Sequence, residues 1–283
     1  MTTTNPNYQI EIVRKPDATR AFRAALFDFD GTLSLIREGW QNVMVPYFCE
    51  VLRGVDPDHK ESDEQIERLV RDFVDKITGK QTIYQCIRLA EEVQARNGKA
   101  LDPLEYKKEY LRRLQERIQS RVDALLSAQA QPDDYVVPGA RAFLQLLRNA
   151  GYKLYLASGT DEMYVKQEAE LLKLTEFFDG GVYGAQDDYK TFSKAMVIER
   201  LIRVNALDGA ELVGFGDGYV EIENVRQVGG YAIGVATNEA QPGAGVDQWK
   251  RTRLLDAGAD AIVPDFNQAQ TLFDFISANT PRQ

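Results

Sequence analysis

The sequence predicts an α/β protein built on a doubly wound parallel sheet with an inserted helical domain, and two patterns carry this prediction. From residue 141 onward, short apolar segments alternate with segments of helix length, and strands separated by helices form parallel sheets with right-handed crossovers. Between about residues 38 and 130 the chain shows helical periodicity without a convincing strand. A sheet-containing core interrupted by an all-helical insertion follows from these patterns.

Each element follows from the spacing of apolar residues and from the residues that break it. In the insertion, helices are predicted over residues 40–52, 64–77, 83–96 and 104–126. Pro132 and Pro138 mark the end of this block, because proline interrupts regular structure. In the C-terminal part, helices are predicted near residues 141–149, 162–172, 194–202, 220–228 and 268–276, and strands at residues 153–157, 181–183, 211–215, 231–235 and 261–263. Further strands are predicted just before residue 27 and, within a polar lead-in, at residues 8–13.

The composition is typical of a globular enzyme. The 283 residues are 44% hydrophobic and 27% charged, which is enough chain for one large core or for a core with a smaller domain. The sequence has no apolar run of about 18 residues and no secretory signal pattern, so we expect a cytoplasmic location and no membrane association. The net charge of −9 argues against nucleic-acid partners, because their phosphates are neutralised by clustered Lys and Arg.

Cysteine and histidine chemistry is not expected in this chain. Cys49 and Cys86 lie in helical patterns without metal-type spacing, so both are expected to be buried thiols. His59 is the only histidine, and its polar, charged neighbours predict a solvated loop. Histidine triads and multi-histidine metal sites are therefore excluded, and carboxylates remain as the candidates for catalysis.

Two carboxylates stand where the first buried strand ends, in the run Phe27–Asp28–Phe29–Asp30–Gly31–Thr32. Because strand side chains alternate, Asp28 and Asp30 are expected on one side of the chain, with the phenylalanines on the other. One carboxylate can attack an electrophile while its neighbour transfers a proton, and a divalent cation reduces the repulsion between them. A solvated Asp-rich turn is the alternative interpretation.

Three later segments weaken that alternative. A strand around residues 153–157 ends in Ser158–Gly159, Ser193–Lys194 opens an amphipathic helix, and a strand around residues 211–215 ends in Gly216–Asp217 with Glu221 four residues further on. Taken in order, the four segments resemble the four motifs of the haloacid dehalogenase superfamily, in its phosphatase branch. This resemblance implies a Rossmann-like core. Parallel strands end at one sheet edge, so we expect Asp28, Ser158 and Asp217 to meet.

The resemblance also implies a role for each residue around the reacting phosphate. Asp28 is the expected nucleophile, forming an aspartyl phosphate, and Asp30 is the expected acid and base for the two half-reactions. Thr32 is expected to orient Asp30 or the loop beside the bound phosphate. Ser158 and the backbone amides from Gly159 onward are expected to hold the phosphoryl oxygens.

Two further groups complete the site implied by the resemblance. The cation that contacts the phosphate is Lys194 or Lys190, and Lys194 is favoured because it begins a helix. Magnesium is the expected cofactor, held by the Asp28 carboxylate, the Asp30 backbone carbonyl and Asp217. The superfamily usually has aspartate where this chain has Glu221, which is expected to bind the metal directly or through water.

The position of the insertion resembles a C1 cap, which closes over the site and excludes water. On this basis the core comprises residues 1–34 and 136–283, and the helical insertion comprises residues 35–135. Gly79 and Lys80 are candidate specificity residues; alternatively, Gly79 ends one helix and Lys80 is solvated. Trp40 is expected to pack between helices rather than to line the pocket, and Lys107 is expected on an exposed helix face.

The function implied by these motifs is that of a Mg²⁺-dependent phosphomonoester hydrolase. Its expected partner is a small phosphorylated metabolite, with sugar and polyol phosphates as the leading examples. A phosphomutase of the β-phosphoglucomutase type would use the same residues with another acceptor. A non-catalytic binding protein on the same scaffold is the third alternative, although such a protein has no need for the second carboxylate, Asp30.

Overall fold

The computed structural model describes residues 10–17, 21–55, 61–186 and 192–278. The described residues form seven strands: β1 Glu11–Ile12, β2 Ala24–Phe27, β3 Lys153–Asp161, β4 Gly181–Ala185, β5 Leu212–Gly216, β6 Tyr231–Val235 and β7 Ala261–Val263. They make one sheet in the order β1-β7-β6-β5-β2-β3-β4, and all neighbours are parallel except β1 and β7. The predicted doubly wound parallel sheet is confirmed.

In the described residues, four α-helices form the helical insertion, and six more pack with the strands of the core. The helices are α1 Gln41–Gly54, α2 Asp63–Ile77, α3 Thr82–Ala95, α4 Pro103–Leu126, α5 Ala140–Asn149, α6 Glu162–Leu171, α7 Lys194–Val204, α8 Tyr219–Gln227, α9 Gln248–Asp256 and α10 Ala269–Ser277. Nine of them match predicted helices within two residues at each end. Helix α9 was not predicted, and β3 extends four residues past the predicted Ala157.

The central strand β2 shows why helices cover both faces of the sheet. Its four residues are all buried, and they alternate between two apolar clusters. Ala25 and Phe27 join the cluster that includes α5 and α10, whereas Ala24 and Leu26 join the cluster under α7, α8 and α9. Phe27 stacks on Phe215 of β5 with ring centroids 4.6 Å apart. The aromatic packing fixes the strand that leads directly into Asp28.

The helical insertion lies against the ends of the core strands. Gln81 Nε2 donates a hydrogen bond of 2.7 Å to the carbonyl of Phe192, just before α7. Lys107 on α4 forms a 2.5 Å ion pair with Asp161 at the end of β3. The predicted exposure of Lys107 is wrong, because this pairing buries it. Among the helices of the described ranges, none combines the length and apolar character that crossing a membrane requires.

Several predicted features concern single residues. Cys49 and Cys86 are both free and buried, as predicted. His59, Lys190 and the first residues of the predicted strand at residues 8–13 lie outside the described residues. The rest of that strand is the short β1, which pairs with β7.

Candidate active site

The carboxyl ends of neighbouring strands β5, β2 and β3 border one cavity beneath the helical insertion. The cavity is lined by predicted site residues and by residues of the insertion. From the prediction it includes Asp28, Asp30, Gly79, Lys80, Ser158, Gly159, Lys194 and Asp217. The parallel register brings the strand-end residues Asp28, Ser158 and Asp217 together, because it places the end of each strand beside the end of the next.

Asp28 is buried at the end of β2, where its carboxylate has two direct partners. Oδ1 lies 2.9 Å from Nζ of Lys194 and accepts a 2.8 Å hydrogen bond from the backbone N–H of Phe29. Burial, with smaller contributions from Asp217 and Asp30, raises the pKa of Asp28 from its ordinary 3.8 to about 6, and Lys194 opposes that rise. The Asp28 carboxyl is therefore still ionised at neutral pH, but burying its charge destabilises the folded state.

This raised pKa predicts a stability effect in the metal-free protein. Because the folded state holds the Asp28 proton more tightly, this group stabilises the fold below its ordinary pKa, and the contribution is lost as the pH rises through about 6. Asp28→Asn removes the charge, so in chelator at pH 7.5 the variant is expected to melt at a higher temperature than wild type. The difference is expected to shrink towards pH 4. A lower melting temperature at pH 7.5 would contradict this prediction.

Asp30 is held by two hydroxyl groups on β3 and lies beside a guanidinium. Thr160 Oγ1 donates a 2.8 Å hydrogen bond to its Oδ2, and Ser158 Oγ donates to the same oxygen at 3.2 Å. Nε of Arg37 lies 3.8 Å from the other oxygen, Oδ1. These three groups fix the orientation of the Asp30 carboxyl, which lines the cavity. Ser158 therefore contacts Asp30 in this structure, in addition to its predicted place beside the phosphate.

Lys194 begins α7 and lies between two buried carboxylates. Its ammonium contacts Asp28 and, more closely, Oε1 of Glu221 on α8. Ser193 caps the helix by accepting a 3.1 Å hydrogen bond from the N–H of Met196, which fixes where Lys194 enters the site. Glu221 thus contacts the lysine; its predicted role at the metal remains a prediction.

Asp217 has a partner that the motifs did not predict. Nζ of Lys250, on α9, lies 2.7 Å from Asp217 Oδ2 and 2.6 Å from Oε1 of Glu239. Although burial favours a neutral amine, the carboxylates of Asp217 and Glu239 raise the pKa of Lys250. A Cβ at Gly31 would come 2.2 Å from Asp217 Oδ2. Gly31 also has a φ of +72°, so both space and backbone geometry require glycine there.

The remaining predicted residues differ in whether they line the cavity and in what they contact. Thr32 is fully buried, does not line the cavity, and its Oγ1 has no hydrogen-bond partner within the described ranges. Gly159 packs on the insertion, since a Cβ there would lie 2.8 Å from the Lys80 carbonyl oxygen. The Lys80 ammonium lies 5.9 Å from the ring centre of Tyr84.

Trp40 lines the cavity, so the prediction that it packs between helices away from the pocket is wrong.

Several polar residues at or beside the cavity were not found from the sequence, among them Thr160, Arg37, Glu239 and Lys250. Thr160 had a usable signal, because it lies two positions after Ser158 and so on the same side of β3. Arg37, Glu239 and Lys250 lie outside the four motif segments. Only the folding of the chain brings them near the strand ends.

The oxygen donors at the strand ends suit magnesium. Among the residues that the structure describes, no three His, Cys, Asp or Glu side chains form a metal-holding group. Mg²⁺ needs no such group, because it keeps several waters and uses one or two carboxylates. Asp28 and Asp217 are close enough to raise the pKa of Asp28, and a cation would relieve that repulsion. The donors that fit it are these two carboxylates and the Asp30 carbonyl.

Lys250 is expected to weaken cation binding at this site, because its ammonium occupies one oxygen of Asp217. Like charges a few Å apart near a protein surface repel by roughly 1–4 kcal/mol. Lys250→Met is therefore expected to tighten Mn²⁺ binding by about tenfold or more, measured by electron paramagnetic resonance of free Mn²⁺. Lys107→Met, which removes another buried lysine–aspartate pair, is the control. Weaker binding would mean that Lys250 positions Asp217 instead.

Comparison with known proteins places the chain in a family. The model of the haloacid dehalogenase-like hydrolases matches residues 22–229, which is most of the chain. The chain belongs to the haloacid dehalogenase-like hydrolases. The matched region contains all four motif segments of this haloacid dehalogenase-like hydrolase, whereas Glu239 and Lys250 lie beyond it. No curated protein matches the sequence.

Solved structures share the fold of this haloacid dehalogenase-like hydrolase. A β-phosphoglucomutase from Clostridium difficile has a TM-score of 0.57 at 13% identity, covering 92% of this chain and 100% of its own. A predicted phosphatase from Clostridium acetobutylicum gives 0.56 at 18% identity, covering 90% and 100%. A predicted phosphoglycolate phosphatase from Haemophilus somnus gives 0.54 at 15% identity, covering 89% and 98%. At these identities the likeness shows the fold.

Proposed function

We propose that this haloacid dehalogenase-like hydrolase is a Mg²⁺-dependent phosphatase of small phosphorylated metabolites that works through an aspartyl-phosphate intermediate. The observation that carries the proposal is the pair of carboxylates in one cavity, each in a different environment. Asp28 is buried against Lys194, whereas Asp30 is held by hydroxyl groups of β3. Neighbouring acids in different environments can divide the nucleophile and proton-transfer roles.

Asp28 would attack phosphorus, and its surroundings suit that role. Its carboxylate is fixed by the N–H of Phe29 and by Lys194, so one oxygen is held in place while the other is available to the cavity. Attack splits one difficult displacement into two easier ones. Lys194, held in turn by Glu221, would balance the charge of the phosphoryl oxygens. Bound Mg²⁺ would supply further charge neutralisation at Asp28 and Asp217.

Asp30 would carry the proton in both half-reactions. It would protonate the leaving alkoxide and later deprotonate the water that cleaves the acyl phosphate. The hydrogen bonds from Thr160 and Ser158 leave Oδ1 as the oxygen without a hydrogen-bond donor in the described part of the chain. That oxygen is therefore the one suited to carry the proton. The backbone amide of Gly159 would hold the phosphoryl oxygens, whereas the N–H of Thr160 donates to Ser158 Oγ.

The helical insertion, residues 35–135, would serve as the cap of this site. It covers the strand ends through the contacts of Gln81 with Phe192 and of Lys107 with Asp161. The cavity lies between the core and the insertion, with side chains of both on its wall, an arrangement typical of small-molecule sites between domains. Gly79 and Lys80 lie on its wall and would contact the leaving group. Closure over the substrate would exclude water from the first half-reaction.

The test is phosphate release across a panel of phosphorylated metabolites, with Mg²⁺ and with chelator. Magnesium-dependent release supports the proposal and begins to identify the substrate. Transfer of the phosphoryl group to a second hydroxyl, without release, would instead indicate a phosphomutase. Binding of phosphorylated compounds with neither release nor transfer would indicate a binding protein.

A further inference from the structure

We propose that Arg37, Gln85 and Tyr110 form a subsite for a neutral hydroxyl group on the leaving group, next to the ester oxygen. The substrate class would then be phosphomonoesters of polyhydroxy alcohols, rather than of hydroxy acids. This inference rests on the proposed phosphatase function and adds its substrate class. All three residues line the cavity, and each is almost completely buried.

Arg37 is the centre of the subsite because it lies beside the expected proton donor. Its side chain is 7% exposed and its Nε lies 3.8 Å from Asp30 Oδ1. Nε and Nη2 bind the Glu168 carboxylate on α6 at distances between 2.7 and 3.1 Å. Nη1 has no hydrogen-bond partner within the described residues. A bound oxygen near this nitrogen would lie close to Asp30, and hence close to the ester oxygen that Asp30 protonates.

Tyr110 and Gln85 bring further hydrogen-bonding groups to the same part of the cavity. Tyr110, on α4, is close enough to Arg37 and Asp30 for their charges to act on its hydroxyl. Burial raises its pKa, so the hydroxyl keeps the proton that it would donate. In the described part of the chain, neither the Tyr110 hydroxyl nor the Gln85 amide makes a hydrogen bond. Both residues line the cavity, so a substrate or water bound there is expected to supply the partners.

The charges around this subsite favour a hydroxyl over a carboxylate. The positive charge of Arg37 is already paired with Glu168 at hydrogen-bond distance, and Asp30 adds a negative charge 3.8 Å away. Beside Arg37, a second anion would therefore meet two carboxylates for one guanidinium, and its desolvation would be uncompensated there. The other cation on this part of the wall, Lys80, has its ammonium 5.9 Å from the ring centre of Tyr84. A hydroxyl both donates and accepts, which matches the mixture of an arginine N–H, an amide and a phenol.

The remaining wall suits the carbon atoms of a polyol. Trp40 just before α1, Met44 of α1 and Leu114 of α4 line the cavity beside the polar groups. Apolar walls with a few convergent polar groups are typical of small-molecule sites. The carbon chain of the leaving group would lie against this wall while its hydroxyl groups face Arg37 and Tyr110.

The test uses three phosphate esters of two-carbon alcohols that differ only in the group at the second carbon. These are ethyl phosphate, 2-hydroxyethyl phosphate and phosphoglycolate, which end in a methyl group, a hydroxyl and a carboxylate. We expect kcat/KM of wild type to be highest for the hydroxyl compound, by about tenfold over ethyl phosphate, as one or two hydrogen bonds allow. Tyr110→Phe is expected to reduce this preference by about 3- to 10-fold. Arg37→Lys keeps a charge opposite Glu168 and is expected to reduce it as well.

Tyr106→Phe is the matched control, because Tyr106 lies one turn before Tyr110 on α4 and is equally buried but does not line the cavity. Its hydroxyl accepts a hydrogen bond from the N–H of Leu101. The control is expected to keep the wild-type preference. Equal rates for ethyl and hydroxyethyl phosphate, a preference for phosphoglycolate, or equal effects of both tyrosine substitutions would overturn the subsite alone. Failure to hydrolyse any phosphomonoester, including p-nitrophenyl phosphate, would overturn the proposed function and the subsite with it.

Discussion

Asp28→Asn is expected to abolish turnover, lowering the rate of phosphate release by roughly 10⁴-fold or more, since losses of this order follow removal of a nucleophile. Asparagine has almost the same shape as aspartate, and it keeps the position beside Lys194, but its amide cannot form the acyl phosphate. The measurement is steady-state phosphate release with Mg²⁺. Acid quenching in the presence of labelled substrate should trap a phosphoryl-enzyme in wild type and none in the variant.

Asp72→Asn serves as the control, because Asp72 is an exposed carboxylate on α2, away from the cavity. It is expected to release phosphate at the wild-type rate. Substantial activity remaining in Asp28→Asn would mean that water attacks phosphorus directly or that another residue is the nucleophile. A melting curve of each variant separates loss of chemistry from loss of fold, and Asp28→Asn is expected to be folded.

Asp30→Asn is expected to slow the hydrolysis of alkyl phosphates by about 10²- to 10⁴-fold, which is the usual contribution of general acid–base catalysis. The amide can still accept hydrogen bonds from Thr160 and Ser158, so the variant is expected to retain the wild-type geometry. Phosphate and Mn²⁺ binding are expected to remain close to wild type, because the backbone carbonyl that would face the metal is unchanged.

The choice of leaving group distinguishes this role from a structural one. p-Nitrophenolate needs no proton to leave, so the first step with p-nitrophenyl phosphate is expected to survive in Asp30→Asn. The second step still needs a base, and the variant should therefore show a burst of p-nitrophenolate followed by a slow phase. An unchanged rate with alkyl phosphates would remove Asp30 from the acid–base role. Equal loss in both steps would indicate that the substitution disturbs Asp28.

The sequence was most informative where a buried strand ends in a polar residue. Asp28 and Asp217 each directly follow such a strand, Ser158 lies near the end of β3, and parallel pairing requires these strands to end at the same sheet edge. Their meeting in one cavity could therefore be predicted from residue order alone. Lys194 could be predicted because Ser193 and the apolar periodicity after it mark a helix start.

The sequence was least informative where a polar residue takes a core position. Helix α9 went unpredicted because one of its two buried residues is Lys250, so the apolar pattern that indicates a helix is incomplete. The same residue is the partner of Asp217 and Glu239. Arg37 was missed for a similar reason, since its pairing with Glu168 joins residues 131 positions apart. Such contacts depend on tertiary packing, which no local spacing reveals.

Lys194 and Lys250 each lie between two carboxylates at the strand ends, and this has a consequence for how the protein can be made. The two lysines supply counter-charges to these carboxylates, so the chain does not need a metal in order to fold, in contrast to domains that are unfolded until a metal binds. We expect the apoprotein to be obtained folded from metal-depleted medium. Magnesium would then add stability only by mass action. Adding the ion to the folded apoprotein would be sufficient to start the activity.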